Sequence, residues 1–183
     1  VADFTSLTTL QLTKGLERDC ADNFCILPHI QSLSFIANDQ AVNLERIAIN
    51  FPNLKELSVV LWHNEHFKAI ESFSKVEKLT LRFNLFVEMT SVIKMPSLKR
   101  LHLITSAFNT NPFAFDGTKL EELIMENDSR RKPKWLIAFL RRDCTKLNLL
   151  KIIDMKLHKT YKEVIDAHRH KIKKLVLKDV TFY

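Results

Sequence analysis

Residues 51–59 read Phe-Pro-Asn-Leu-Lys-Glu-Leu-Ser-Val, and their pattern recurs along the chain. Leu54, Leu57 and Val59 place apolar side chains on one face of a short strand, because successive side chains of a strand point to opposite faces. Pro52, just upstream, prevents a helix from running into that strand. The stretch therefore predicts a short strand with one buried face, used as a repeated unit.

The repeat can be followed through its first leucine-type position, which is Leu54 in the stretch above. Equivalent aliphatic residues stand at Leu7, Ile30, Val76, Leu98, Leu120, Leu147 and Ile172. In chain order, consecutive positions are separated by 23, 24, 22, 22, 22, 27 and 25 residues. A period of about 20 to 29 residues is typical of leucine-rich repeats, in which each unit buries its apolar edge against the next.

The units resemble the intracellular leucine-rich repeats of the cysteine-containing and F-box types. In that family a Cys or another apolar residue precedes the strand, and Cys144 stands there before Leu147. Asn38 and Asn84 match the polar residue with which the family ends its strands. Other strands depart from this rule and end on Trp62, Met155 and Val180. The resemblance implies an α/β solenoid of about seven to eight repeats, with a curved parallel sheet inside and helices outside.

Amphipathic segments between the strands predict the outer helices. They are residues 41–51, 64–73, 85–95, 133–144 and 161–169. Residues 106–118 contain Asn, Pro and Gly and are predicted to form a loop, but the 22-residue step continues across them. We therefore expect residues 1–183 to form a single leucine-rich repeat domain. Because the first residue is Val1 rather than Met, we expect this domain to belong to a longer chain.

Composition argues against several classes of protein. Hydrophobic residues make up 46% and charged residues 27% of the 183 residues, as in ordinary globular domains. No run of about 18 apolar residues occurs, so we expect no membrane span. The three cysteines, Cys20, Cys25 and Cys144, match neither a disulfide framework nor a CxxC metal site. This usage favours a reducing intracellular compartment, either cytoplasmic or nuclear.

Sequence motifs for catalysis or cofactor binding are not found. The chain has two glycines, and neither belongs to a phosphate-binding loop. His63 and His66 lack the HExxH order of a helical metal site, so we interpret them as the exposed start of a helix. No nucleophile, base and orienting group can be aligned. We therefore predict a non-enzymatic protein without cofactor or metal ion.

The net charge of +7 is unevenly distributed. From Arg130 to Asp179 there are 16 Lys and Arg against 5 Asp and Glu, a net +11, so the remainder carries −4. This half contains the basic cluster Arg130, Arg131, Lys132 and Lys134. Such a cluster is found in nuclear-localisation and polyanion-binding sites, but an exposed loop before a helix is the simpler explanation. An alternative function is therefore nucleic-acid or polyanion binding by the basic C-terminal half.

The strand phase predicts which side chains face away from the core. If Leu57 and Val59 point inward, the residues between them point outward, and neighbouring strands about 4.8 Å apart align such residues in rows. The predicted partner-binding residues are Glu56, Lys78, Thr80, Arg82, Arg100, His102, Glu122 and Glu126. Cations at the centre of this face, flanked by glutamates, predict a partner segment that carries carboxylate or phosphate groups.

The resemblance also implies a function. It suggests a protein-recognition module with its partner on the concave face, similar to the substrate-binding part of an F-box protein in a cullin-RING ubiquitin ligase. The F-box, which would bind the ligase adaptor, is expected upstream of these residues. At the other end Val176, Leu177, Val180 and Phe182 have no cover within this sequence. We therefore expect either an exposed apolar edge there or cover by a partner or by residues outside this sequence.

Overall fold

An eight-stranded parallel sheet is the main element of the computed structural model of this chain. The structure describes residues 6–16, 24–38, 41–63, 65–83, 92–105, 114–115, 119–127, 136–137, 139–143 and 147–183. In chain order the strands are β1 (Thr9–Leu16), β2 (Ser32–Ala37), β3 (Glu56–Leu61), β4 (Lys78–Phe83), β5 (Val92–Ile93), β6 (Arg100–Thr105), β7 (Ala114–Phe115), β8 (Glu122–Asn127), β9 (Leu147–Ile153), β10 (Lys156–Leu157), β11 (Ile172–Lys178) and β12 (Thr181–Phe182). The helical segments are α1 (Leu44–Asn50), α2 (Glu65–Ala69), a 3-10 turn at Ile70–Ser72, a π-helical turn at Phe139–Asp143, α3 (Lys159–Ala167) and a 3-10 turn at Arg169–Lys171.

Strand order in the large sheet follows chain order. It is β1-β2-β3-β4-β6-β8-β9-β11, and all neighbours run parallel. The remaining short strands form two separate parallel pairs, β5 with β7 and β10 with β12. The predicted α/β class with a parallel sheet is thus confirmed, and the helices between the strands are short.

A row of leucines crosses the core side of the sheet. In register these residues are Leu33, Leu57, Leu79, Leu101, Leu123, Leu150 and Leu175. All except Leu175 are buried. A second buried row lies two residues further along: Phe35, Val59, Leu81, Leu103, Met125 and Ile152. The repeat of the sequence therefore sets the register of the sheet, and the inward phase predicted for β3 is confirmed.

Helix α1 confirms the amphipathic prediction for residues 41–51. Its inward residues Leu44 and Ile47 are buried. The Asn43 side chain accepts a hydrogen bond of 2.9 Å from the Arg46 amide, which satisfies a backbone donor that the first turn leaves free. Helix α2 and its 3-10 turn likewise bury apolar residues of the predicted segment 64–73, and α3 covers most of 161–169.

One helix prediction fails in part, and another is confirmed in its described residues. Residues 85–95 were expected to form a helix, but Val92–Ile93 is strand β5, which pairs with Ala114–Phe115 in the region predicted as a loop. Pairing with a distant segment thus overrides the helical spacing there. In residues 133–144 the described part is helical at 136–137 and forms a π-helical turn at Phe139–Asp143.

His66 corrects a further prediction. It was interpreted as an exposed residue at the start of a helix, but it is buried within α2. Its ring stands edge-on to the ring of His63, with centroids 5.8 Å apart. The Nε2 atom of His63 lies 3.2 Å from the carbonyl oxygen of Asn38, which connects the ends of neighbouring strands. This histidine pair therefore packs a strand end and a helix start together.

The segments that follow the strands differ from one another. Asn38 follows β2, and its amide lies so close to Gly15 that a Cβ there would stand 2.3–2.5 Å from it. A larger residue at position 15 would therefore require the Asn38 side chain to move. After β9 and β11 the chain turns through Asp154 and Asp179, with φ of 53° and 54°. Asp tolerates this left-handed region better than most residues do. Asn84 lies outside the described residues.

One residue of the apolar edge predicted at the C-terminal end of the sheet is exposed. Leu177 in β11 is 42% exposed. Leu175, Val180 and Phe182 are instead partly buried and packed against the core. The chain end is fixed by the pairing of β12 with β10. Among the helices of the described residues, none has the length and apolar character needed to cross a membrane.

Candidate binding face

Three rows of side chains cross the side of the sheet opposite the leucine rows. We call this side the polar face. The first row is Ser32, Glu56, Lys78, Arg100, Glu122, Leu149 and Lys174. The second row is Ser34, Ser58, Thr80, His102, Ile124, Lys151 and Val176. The third row is Ile36, Val60, Arg82, Ile104, Glu126, Ile153 and Lys178. All eight residues predicted for partner binding lie in these rows.

The charges at the centre of the first row are paired with one another. Lys78 Nζ lies 2.5 Å from Glu56 Oε1, and Arg100 Nε lies 2.5 Å from Glu122 Oε2. The hydrogen bond that Arg100 donates to the Glu122 carboxylate raises the pKa of Arg100 further above its usual value. Because each central cation has its own carboxylate, these four residues carry no net charge. The predicted positive strip is therefore neutralised in this row.

His102 adds little positive charge at neutral pH. Burial lowers its pKa below the usual value, and the effect exceeds the opposing attraction of Glu126, whose Oε2 lies 3.3 Å from Nε2. The charge of Lys151 in the same row lowers the pKa as well. His102 therefore presents a neutral ring beside Thr80, its in-register neighbour. Thr80 continues the hydroxyl series of Ser34 and Ser58 in the second row.

Arg82 is the predicted site cation that makes no ion pair with any described residue. It is exposed in the third row, and its in-register neighbours are Val60 and Ile104. This row is otherwise largely aliphatic on a side of the sheet that faces solvent. Trp62 directly follows β3, two residues beyond Val60, and is 42% exposed. Arg82 thus stands within an apolar band with a large aromatic side chain nearby.

The apolar band was not recognised from the sequence. Its members are Ile36, Val60, Ile104 and Ile153, all half-buried. The signal was available, because the two-residue alternation that places Glu56 on the polar face also places Val60 there. The strand phase predicts Val60 and Ile104 to face outward, but the predicted binding residues were the charged and polar ones of the same face.

A second charged ladder lies at the N-terminal ends of the strands. Lys99 Nζ lies 2.9 Å from Glu77 Oε2, and this hydrogen bond lowers the pKa of Glu77. Further along the sheet, Asn148 of β9 donates a hydrogen bond of 3.3 Å from Nδ2 to Oε2 of Glu121, which directly precedes β8. Exposed pairs of this kind contribute little to stability, so they help align neighbouring strands without dominating it.

The basic C-terminal half places three lysines on the polar face. Lys151, Lys174 and Lys178 belong to β9 and β11, and none makes an ion pair within the described part of the chain. The predicted cluster of Arg130, Arg131, Lys132 and Lys134 lies outside the described residues. Positive charge on the described face therefore accumulates at its C-terminal end, away from the neutralised centre.

The described residues contain no group of three or more His, Cys, Asp or Glu side chains that could hold a metal ion. The polar face is thus defined by apolar side chains, hydroxyl groups and charges in register, without an assembled set of ligands. No protein family, curated protein or solved structure matches this chain.

Proposed function

We propose that this chain is a non-enzymatic protein-recognition module, built as a leucine-rich repeat solenoid, whose partner binds the polar face. The solenoid is supported by the agreement between the sequence repeat and the sheet, since residues 22 positions apart become neighbours in the leucine row. Strand order that follows chain order supports it as well. In such a solenoid the polar face would be the concave one.

The apolar band is the observation that carries the proposal. A sheet face in contact with water normally presents polar side chains, whereas this one presents Ile36, Val60 and Ile104 in one row. Apolar side chains that stay partly accessible on such a face can mark a site of interaction, and Arg82 lies among them. Trp62 supplies the kind of large side chain that often dominates binding energy.

Charge and hydroxyl groups around the band set the chemistry of the partner. Arg82 can form a bidentate contact with a carboxylate or phosphate, because its guanidinium is not used in an ion pair with the described residues. Ser58 and Thr80 offer hydroxyl donors beside it. The face therefore suits a partner segment with an apolar side chain next to an acidic group.

The resemblance of the repeats supports a more specific role within this proposal. The module would select the substrate of a cullin-RING ubiquitin ligase, as the repeats of F-box proteins do. The test is whether the longer encoded chain contains an F-box and whether it binds the ligase adaptor. A longer chain without an F-box would remove this role and leave the recognition module in place.

The binding face can be tested with matched variants. A partner is isolated by affinity capture and its dissociation constant is measured for Trp62→Ala and Arg82→Glu. The controls are Ile49→Ala, which removes a 56% exposed apolar side chain from α1, and Lys119→Glu, which reverses an exposed charge before β8. We expect the two face variants to weaken binding about tenfold or more, and the controls to leave it unchanged. Equal effects in both sets would contradict the proposed face.

A further inference from the structure

The spacing of the outer segments keeps the sheet nearly flat around β6. A repeat solenoid curves where outer helices, which need about 8 to 10 Å of separation, are wider than the strands that they follow, which need about 4.8 Å. The segments that flank β6 in the chain are instead β5 and β7, and these pair with each other as parallel strands. Outer and inner spacing are therefore equal there, so these segments do not force the sheet to curve.

The third row of the polar face is complementary to itself. From β3 to β9 its members are, in order, Val60, Arg82, Ile104, Glu126 and Ile153. On either side of Ile104 the row continues with one charge and then one aliphatic residue, and the two charges have opposite signs. Within the described chain Arg82 makes no ion pair, and Glu126 is paired with His102, which adds little positive charge. Two copies that face each other about Ile104 would place Arg82 of each copy opposite Glu126 of the other.

This arrangement has a twofold axis parallel to β6, and a twofold axis is the commonest symmetry of dimers. Each row then faces the same row of the second copy, so that Val60 meets Ile153 and Lys78 meets Glu122. The side chains on the axis meet their own copies without strong repulsion: they are Ile104, the mostly neutral His102, and Arg100, which Glu122 neutralises. Seven strands of each copy, about 29 Å across, would lie in the contact.

Charge disfavours the other symmetric arrangements. An axis at right angles to the strands brings the first row onto the third, so that Lys78 meets Arg82. An axis along β4 brings Arg82 onto Arg82, and an axis along β8 brings Glu126 onto Glu126. An axis along β9 pairs Glu126 with Lys178, but it brings Lys151 onto Lys151 and leaves Arg82 without a carboxylate among the described residues. Because like charges in direct opposition are unfavourable, the axis along β6 fits best.

We propose that two copies of this chain associate through their polar faces, with the twofold axis along β6. The contact covers the apolar band and gives Arg82 and Glu126 the counter-charges that a single chain does not supply in its described residues. Sheets packed face to face lie about 10 Å apart, a distance that Arg and Glu side chains span together. The inference goes beyond the proposed function, because it requires no other protein. A partner on the polar face would have to displace the second copy.

Exchanged charges test this contact in the protein itself. Association of the 183-residue chain is measured by sedimentation at about pH 8, where histidines are neutral. Arg82→Glu places a glutamate opposite Glu126, and Glu126→Arg places an arginine opposite Arg82. We expect each variant alone to associate about tenfold more weakly or less. An equimolar mixture of the two variants restores both opposite-charge pairs, so we expect a heterodimer with the affinity of wild type.

Matched variants separate this contact from a general effect of charge. Lys119→Glu and Glu121→Arg make the same changes of charge at exposed positions outside the polar face, and they should associate as wild type does. The double variant Arg82→Glu/Glu126→Arg carries both exchanges in one chain and should associate with itself as wild type does. Circular dichroism checks that each variant is folded.

Four results would overturn the proposal. If the wild-type chain is monomeric at about 1 mM, the faces do not associate, and the test of partner binding with Trp62→Ala is unaffected. If neither reversal weakens association, another surface is responsible. If the mixture of variants does not recover association, Arg82 and Glu126 do not face each other. If Lys178→Glu weakens association as strongly as Arg82→Glu does, the axis lies along β9.

Discussion

Truncation of Leu101 should be strongly destabilising. Leu101 is 1% exposed and stands in the leucine row between Leu79 and Leu123, which are also buried. Leu101→Ala removes three buried carbon atoms, worth about 2.4 kcal/mol at about 0.8 kcal/mol each. Hydrogen-bonded strands on both sides limit collapse of the cavity, which raises the expected loss to about 3 to 5 kcal/mol. The melting temperature should fall by about 6 to 20 °C.

Leu177→Ala provides the matched control, because it removes the same atoms from a side chain that is 42% exposed. No enclosed cavity forms at the edge of the sheet, so we expect a loss of about 1 kcal/mol. Both variants are measured by urea unfolding followed by circular dichroism. Equal losses would refute the reasoning, since they would mean either that β11 is covered or that the centre of the leucine row is loosely packed.

Three further effects should be measurable. Burial lowers the pKa of His102 in the folded protein, so the unfolded state binds a proton at this residue first as pH falls. Stability should therefore decrease on acidification below about 6.5, the usual His pKa, until His102 is protonated in the folded state too. In thermal melts over this pH range His102→Gln should lose less stability than wild type, and an equal loss would contradict the argument. In NMR titrations Glu126→Gln should lower the pKa of His102 further, because the attraction of the Glu126 carboxylate is removed. Asp154→Ala should lose about 1 kcal/mol in urea unfolding because φ is positive there, whereas a comparable loss in Asp154→Gly would exclude that cause. Gly15→Ala should destabilise the protein through contact with the Asn38 amide, and Asn38→Ala in the same chain should recover most of the loss; no recovery would point to another cause.

The repeat made the sheet predictable because two periodicities act together. Alternation along a strand determines which side chains point inward, and the 22-residue spacing of Leu57, Leu79 and Leu101 brings equivalent positions side by side. A shift of the register by one residue would move leucines to the polar face, so burial enforces the pairing. The leucine rows and the position of every predicted face residue follow from this.

The pairing and protonation of the charged side chains on the polar face were not predictable in the same way. Whether Lys78 and Arg100 form an open positive strip depends on which rotamers long side chains adopt between neighbouring strands. The charge of His102 depends on how much water its neighbours exclude, which a linear pattern does not encode. Strand β5 was not predictable either, because Val92–Ile93 fits a helical spacing but pairs with residues more than 20 positions away.

The order of the strands has a consequence for how such a protein can change in length. Each strand of the large sheet pairs only with those directly before and after it in that sheet. Duplication of the segment from Leu79 to Arg100 would insert one more strand whose neighbours on both sides remain equivalent to those already present. Every row on the polar face would then gain one side chain. Variation by whole segments would widen a binding surface or shift its centre without redesign of the residues that hold it together.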